Sequence, residues 1–107
     1  MAEKPRIKVP QEAHRGETIE IRTLLPHAME NGLRRDENGN LIPRRIINRF
    51  TCTFDGRPVF SADFGTSIAA NPYLQFTAKV DQSGTFRFSW FDDDGTVTTA
   101  DEEISVS

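Results

Sequence analysis

Apolar and polar residues alternate with a period of two along most of this 107-residue chain, and the apolar spacing of an amphipathic helix is nearly absent. The strongest hairpin signals between these segments are Asp55-Gly56 and Asp94-Gly95. The alternation predicts seven strands, at residues 6–9, 18–25, 46–55, 57–64, 73–80, 85–91 and 96–106. Short strands with regularly spaced turns indicate an all-β, immunoglobulin-like β-sandwich rather than a closed barrel. We therefore expect a single domain over residues 1–107.

One face of these strands carries most of the aromatic residues. The alternation predicts eight inward side chains, namely Phe50, Phe54, Phe60, Phe64, Phe76, Phe86, Phe88 and Trp90. A chain of this length buries enough surface for one core, but not for a core and a spacious internal active site. Any binding site is therefore expected at a sheet edge, a loop end or a partner interface.

Residues 26–43 form the one long segment without a strand pattern. Loops longer than about 12–15 residues in compact domains are usually functional or disordered. Asn38-Gly39 predicts the tip of a small hairpin within the segment. A polar insertion without a function is one interpretation. A recognition loop is favoured, because the segment combines arginines with apolar residues such as Leu33 and Leu41 that a merely solvated loop does not need.

The charge is unevenly distributed along the chain. Residues 1–54 hold 10 Lys and Arg against 7 Asp and Glu, whereas residues 55–107 hold 3 against 9. This asymmetry indicates either two solvated loops of opposite sign or an electrostatic docking surface. Nucleic acid is disfavoured as a partner, because the net charge is −3 and no aromatic residues alternate with the arginines. The first residues lack the apolar core of a secretion signal, which by itself favours the cytoplasm.

The chain has few residues suited to catalysis or metal binding. Cys52 is the only thiol, and its position between two inward phenylalanines predicts a buried, unreactive side chain. His14 and His27 both precede it, which is the wrong order for a blue copper site. Residues 92–95, DDDG, are more typical of a hairpin tip than of a calcium loop, whose acids alternate. The sequence therefore predicts no metal, no cofactor and no independent enzymatic activity.

Several motifs carry a family resemblance. Residues 27–32 read HAMENG and residues 42–52 read IPRRIINRFTC, and they are followed by Asn71-Pro72-Tyr73 and by the DDDG turn. This combination resembles SoxZ, the small subunit of the SoxYZ sulfur carrier of thiosulfate-oxidising bacteria, over nearly the whole chain. The resemblance implies a non-catalytic subunit that forms a heterodimer with SoxY. In that family the C-terminal cysteine of SoxY carries the covalently bound sulfur intermediates.

The resemblance also implies a location and further partners. SoxZ-like chains reach the periplasm together with the signal-bearing SoxY subunit, in contrast to the cytoplasmic location that the N-terminus alone favours. The carrier then docks transiently to a cytochrome complex, a sulfate-releasing hydrolase and a sulfur dehydrogenase. Two alternatives stay open: an immunoglobulin-like module that binds an unrelated protein, and a SoxYZ-like carrier subunit of another oxidative pathway.

Contact with a partner is expected where apolar side chains point outward. Ile47 lies on the polar face of its predicted strand and Phe91 on that of another, so a partner is expected to cover both. The candidate partner interface consists of His27, Met29, Arg35, Arg45, Ile47, Arg49 and Phe91. On this interpretation, Ile47→Glu is expected to weaken the heterodimer without unfolding the chain.

Overall fold

A computed structural model describes residues 4–65 and 71–107, which form eight β-strands and no helix. The strands are β1 (Arg6–Lys8), β2 (Glu12–Ala13), β3 (Glu17–Leu24), β4 (Ile47–Phe54), β5 (Arg57–Asp63), β6 (Tyr73–Val80), β7 (Gly84–Asp92) and β8 (Val97–Val106). One sheet has the order β1-β3-β6, and the other has the order β2-β8-β7-β4-β5. The all-β, immunoglobulin-like sandwich predicted from the alternation is confirmed. No helix among the described residues has the length and apolar character needed to span a membrane.

The seven predicted strands correspond to β1 and β3 to β8, with ends that agree to within one residue. The strand that the alternation does not predict is β2, whose two residues are too few to show a period. It pairs in parallel with the end of β8, where Glu12 lies opposite Ser105. A partner distant in the sequence therefore defines this strand.

Two tight turns lie where the sequence predicts them. Asp55 and Gly56 both have positive φ angles, of 49° and 84°, as a two-residue type I′ hairpin requires. Between β7 and β8, the Gly95 amide donates to the Asp92 carbonyl at 3.0 Å, and the Asp92 amide donates to the Thr96 carbonyl at 2.9 Å. Both hairpins fix the register of the larger sheet.

The core lies between the two sheets and is aromatic at its centre. The ring of Phe50 is fully buried, with its centroid 5.2 Å from that of Trp90, 6.0 Å from that of Phe76 and 6.3 Å from that of Phe88. Phe60 of the larger sheet stacks on Phe76 of the smaller sheet, with centroids 4.5 Å apart and planes inclined by 10°. Aromatic contacts therefore join the sheets where β5 and β6 face each other.

The predicted inward set divides into two groups. Five of its side chains are buried, namely Phe50, Phe76, Phe86, Phe88 and Trp90. Three are only partly buried, namely Phe54, Phe60 and Phe64. The second group lies at the end of β4, on the outermost strand β5 and just beyond it, where fewer neighbours cover a ring.

The longest described segment outside the strands is residues 25–46, of which residues 26–46 are hereafter called the arm. The molecule measures 59 × 21 × 19 Å, and its radius of gyration of 16.2 Å exceeds the roughly 13 Å expected for a compact domain of this length. Strands of eight to ten residues span only about 27–34 Å. The arm is the longest described segment that lies outside the strands, and it accounts for part of this extra length.

Candidate functional site

The arm is an irregular hairpin rather than an open loop. At its base the backbones of Glu30 and Arg45 exchange two hydrogen bonds, of 2.9 and 2.7 Å. Nearer the tip, Arg35 forms a bridge with Leu41, and the Asp36 amide donates to the Asn40 carbonyl at 2.8 Å. The predicted hairpin with Asn38-Gly39 at its tip is confirmed.

Asp93, in the turn between β7 and β8, anchors the base of the arm. Its carboxylate accepts hydrogen bonds from Arg44 at 2.8 and 3.2 Å, from the Asn48 side chain at 2.9 Å and from the Ile46 amide at 3.1 Å. The hydrogen bond from the Arg44 guanidinium is the largest cause that lowers the pKa of Asp93 to about 2, with smaller contributions from Asn48 and Ile46. Asp93 is therefore an ionised acceptor that holds the C-terminal end of the arm and the start of β4.

Asp92 makes a second connection, which joins the start of the arm to its end. His27 Nε2 lies 2.9 Å from Asp92 Oδ2, and Arg45 Nε lies 3.3 Å from the same oxygen. The Met29 amide donates to His27 Nδ1 at 3.0 Å, so Nδ1 is an acceptor and Nε2 is the ring nitrogen that donates a hydrogen bond to Asp92. Arg45 also pairs with Asp94 at 3.0 Å. The DDDG turn and the arm thus neutralise each other within the chain.

This anchor is the part of the site that the sequence did not reveal. The sequence predicts that the arginines and the aspartates are solvated or face a partner, whereas Arg44 and Arg45 pair with Asp92, Asp93 and Asp94. The sequence does contain one signal for this pairing. Arg44 and Arg45 are adjacent positive charges, and residues 92–94 are adjacent negative charges. Among the described residues, no group of three or more His, Cys, Asp or Glu side chains is arranged to hold a metal ion.

Two of the seven candidate interface residues are buried inside the chain. Ile47 is 1% exposed, because the β4–β7 register shifts between Ile47 and Arg49 and turns the side chain inward. Met29 is also buried, and its sulfur accepts a hydrogen bond from the Ile47 amide at 3.3 Å. The expectation that Ile47 points outward is wrong, and Ile47→Glu places a charge in the core, where it destabilises the fold itself.

The remaining candidates occupy three places. His27 and Arg45 meet at Asp92, and Arg35 lies towards the tip of the arm, where it donates to the Gly39 carbonyl at 2.8 Å. Arg49 and Phe91 are direct neighbours across β4 and β7, on the outer face of the larger sheet.

Val97 of β8 extends the Arg49–Phe91 pair. It lies opposite Phe91 and is 47% exposed. Arg49, Phe91 and Val97 therefore form a row across three strands, hereafter the outer row, in which apolar surface adjoins a cation. Val97 is absent from the candidate interface because only the pairing of β7 with β8 brings it beside Phe91.

Cys52 cannot present its thiol at the surface. The side chain is 1% exposed, and burial raises its pKa to about 12. Its neighbours across the sheet are Phe60 and Phe88. The predicted burial is confirmed, and a thiol with this pKa remains protonated and weakly nucleophilic near neutral pH.

Comparison with solved structures shows the same fold in proteins of distant sequence. Superoxide reductase (neelaredoxin) from Ignicoccus hospitalis is 19% identical, with a TM-score of 0.77, over 99% of this chain and 82% of that one. A putative superoxide reductase from Thermotoga maritima is 17% identical, with a TM-score of 0.74, over 96% and 85% of the chains. The sulfur carrier protein SoxY from Chlorobium limicola f thiosulfatophilum is 12% identical, with a TM-score of 0.68, over 96% and 78%. At these identities the likeness concerns the fold.

Comparison with protein families is more specific. No curated protein sequence matches the chain. The family described as sulphur oxidation protein SoxZ matches residues 7–103, which include the arm, its anchor and every strand except the first residue of β1 and the last residues of β8. This match agrees with the resemblance carried by the HAMENG and IPRRIIN motifs. The chain therefore belongs to the SoxZ family of sulphur oxidation proteins.

Proposed function

We propose that this chain is the non-catalytic subunit of a two-subunit sulfur carrier, and that its partner is a SoxY-like subunit whose C-terminal cysteine holds the sulfur intermediates. The observation that carries the proposal is the burial and raised pKa of Cys52 in a chain of the SoxZ family. A sulfur carrier needs a thiolate that donors and enzymes can reach. The sole thiol of this sequence is buried and has a raised pKa, so the cargo belongs on another chain.

The side chains around the arm support a structural role rather than a catalytic one. Both ring nitrogens of His27 are occupied, one by Asp92 and the other by the Met29 amide. A general base needs a free nitrogen near its substrate. The Asp92 and Asp93 carboxylates are likewise held by cations and amides of the arm. These residues serve to hold the arm in one orientation, and a pre-ordered surface loses less entropy when a partner binds.

The outer row is the contact that we assign to the body of the partner. Phe91 and Val97 offer apolar area beside Arg49, and aromatic residues and arginines are enriched in protein interfaces. Leu33 and Leu41 of the arm have exposed fractions of 79% and 54%, and they offer a second contact for the partner or for visiting enzymes.

In this scheme the assembled carrier acts in the periplasm and reaches it together with the SoxY-like subunit. There it docks transiently to the cytochrome, hydrolase and dehydrogenase enzymes of thiosulfate oxidation.

The proposal is tested by isolating the chain from its native host without denaturant, after growth with and without thiosulfate, and measuring intact masses. We expect a stoichiometric partner that ends in a glycine-flanked cysteine and gains reducible, sulfur-containing mass after growth on thiosulfate. This chain should keep its unmodified mass of 12.1 kDa. The control is a Cys52→Ala strain, in which the additions to the partner should be unchanged.

Other outcomes contradict the proposal in different ways. A lone chain under both conditions would remove the carrier function. Sulfur additions on this chain that disappear in the Cys52→Ala strain would make it the carrier. Identical additions on the partner with and without thiosulfate would assign the complex to another oxidative pathway.

A further inference from the structure

β6 is a long edge strand that is neither shortened nor interrupted by a proline or a register shift. Its eight residues pair with β3 in a continuous register, and among the described residues no strand pairs with its other side. The other edges are shorter or interrupted. β1 has three residues, β2 has two, and β5 contains Pro58 beside a register shift at Cys52 and Thr53. Natural proteins blunt sheet edges by such means, so an unmodified eight-residue edge is a site where another strand can pair.

The hydrogen bonds at the two ends of β6 show which of its backbone groups are free. The Leu25 amide donates to the Pro72 carbonyl at 3.2 Å, and the Gly16 amide donates to the Val80 carbonyl at 2.8 Å. Backbone groups of an antiparallel strand point alternately to its two sides. The even-numbered residues of β6 therefore face β3, and four residues direct both N–H and C=O to the open side, namely Tyr73, Gln75, Thr77 and Lys79.

A cleft adjoins the second half of this edge. It has a volume of about 270 Å³, lies between β6 and β5 where the two sheets separate, and is lined by apolar side chains including Phe54, Val59, Ala78 and Phe86. A strand added to β6 would direct every second side chain to the inner face of the sheet. Those side chains would enter the cleft beside Ala78. The edge and the cleft together thus offer backbone pairing and a side-chain pocket, the two elements of recognition by strand addition.

We propose that an extended segment of the SoxY-like partner adds to β6 as a fourth strand of the smaller sheet and places an apolar side chain in this cleft. The inference rests on the proposed function and adds a second contact to the outer row. Arg57 and Lys79 line the cleft against a single carboxylate, Asp81, and none of the three forms an ion pair within the described part of the chain. This excess of positive charge favours an acidic residue next to the apolar one in the segment.

A second copy of this chain fits the site less well. Two copies paired edge to edge through β6 would satisfy the backbone groups. However, Leu74, Phe76 and Ala78 of each copy already pack into their own core, so neither copy would have a side chain to place in the other's cleft. A segment from a partner has side chains that are free to enter it.

The test is amide hydrogen exchange of the full chain, alone and in complex with the SoxY-like subunit of its host. In the free chain, the amides of Tyr73, Gln75, Thr77 and Lys79 should exchange rapidly, and those of Leu74, Phe76 and Ala78 slowly. In the complex, the first four should slow by about tenfold or more, since each would gain a backbone acceptor.

A matched pair of variants at Thr77 sharpens the test. Thr77→Pro removes an outward N–H and no bond to β3, so the fold should persist and the Kd should rise by about tenfold or more. Thr77→Ala removes the side chain but keeps the N–H, and should change the Kd by less than about twofold. Melting curves of both variants check the fold, and the exchange measurement stands alone if Thr77→Pro does not fold.

Three results would overturn the inference. A complex that forms without slowing these amides would leave the proposed function in place and remove the added strand. Concentration-dependent slowing in the chain alone would assign the edge to a second copy. Absence of any complex with the SoxY-like subunit would contradict both the inference and the proposed function.

Discussion

The aromatic core and the base of the arm are both held by several contacts, but the forces differ. In the core, Phe50 is fully buried and contacts four other aromatic rings. At the base of the arm, Asp93 accepts four hydrogen bonds, two of them from Arg44, whose side chain is 51% exposed. Burial of apolar surface is insensitive to pH and to moderate salt, whereas exposed charge pairs are sensitive to both.

Because of this difference, the core determines the stability of the domain, whereas the charged anchor determines the order of a segment that is used for recognition. Loss of a core ring lowers the free energy of unfolding of the whole domain, because strands of both sheets pack against the same close-packed core. Loss of an anchoring carboxylate releases one segment and leaves the sandwich folded. A segment used for binding can therefore change its order without endangering the fold, and the comparison can be tested from either side.

The largest effect is expected from Phe50→Ala. Removing a fully buried ring should lower the free energy of unfolding by about 3–5 kcal/mol, a large part of the total of about 5–15 kcal/mol for a domain. Chemical denaturation measures the change. Phe91→Ala is the matched control, because it removes the same ring from the outer face of β7 and should cost much less. Equal losses for the two variants would show that the core is not centred on Phe50.

A smaller and more local effect is expected from Asp93→Ala. The substitution leaves the Ile46 amide and the Asn48 side chain without their acceptor, which costs about 1–3 kcal/mol. Amide exchange of Glu30 and Arg45 should accelerate while the amides of the core strands stay protected. Asp101→Ala is the control, since Asp101 also forms a two-bond pair with an arginine, Arg87, but lies away from the arm on an exposed face. Acceleration in both variants would mean that the arm is not held by its anchor.

The smallest effect is expected from acid. The pKa of Asp93 is lowered from 3.8 to about 2, so its ionised form stabilises the folded arm fully above about pH 4, and this contribution is lost as the pH falls towards 2. The lowered pKa of Asp94 acts in the same direction. NMR signals of the arm should therefore change between pH 4 and 2 before those of the core. Asp93→Asn should flatten this transition, and an unchanged profile in that variant would assign the acid response to other carboxylates.

Most of the sandwich could be predicted from local pattern. Strands β3 to β8 alternate in the sequence because one face of each meets the core, and Asp55-Gly56 supplies the positive φ angles that its turn requires. The buried state of Cys52 followed from the same alternation. The position of the hairpin tip at Asn38-Gly39 followed from turn chemistry, which depends on two residues alone.

The errors arose where a residue distant in the sequence decides the outcome. A one-residue shift in the pairing of β4 with β7 turns Ile47 inward, and period-two reasoning cannot detect such a shift. The anchor joins Arg44 to Asp93, residues 49 positions apart, and their charges alone do not say whether they pair with each other or with a partner.

By itself, the sequence determined the fold class, seven of the eight strands, the tight turns and the family, because each depends on periodicity or on motifs that are contiguous in the chain. Only the tertiary structure decided that the arginines and aspartates neutralise each other, that Arg49, Phe91 and Val97 form one row, and that the free edge of β6 lies beside an apolar cleft. The physical reason is that side-chain periodicity is a property of single strands, whereas charge pairing, surface patches and free edges arise only after the strands have taken their neighbours.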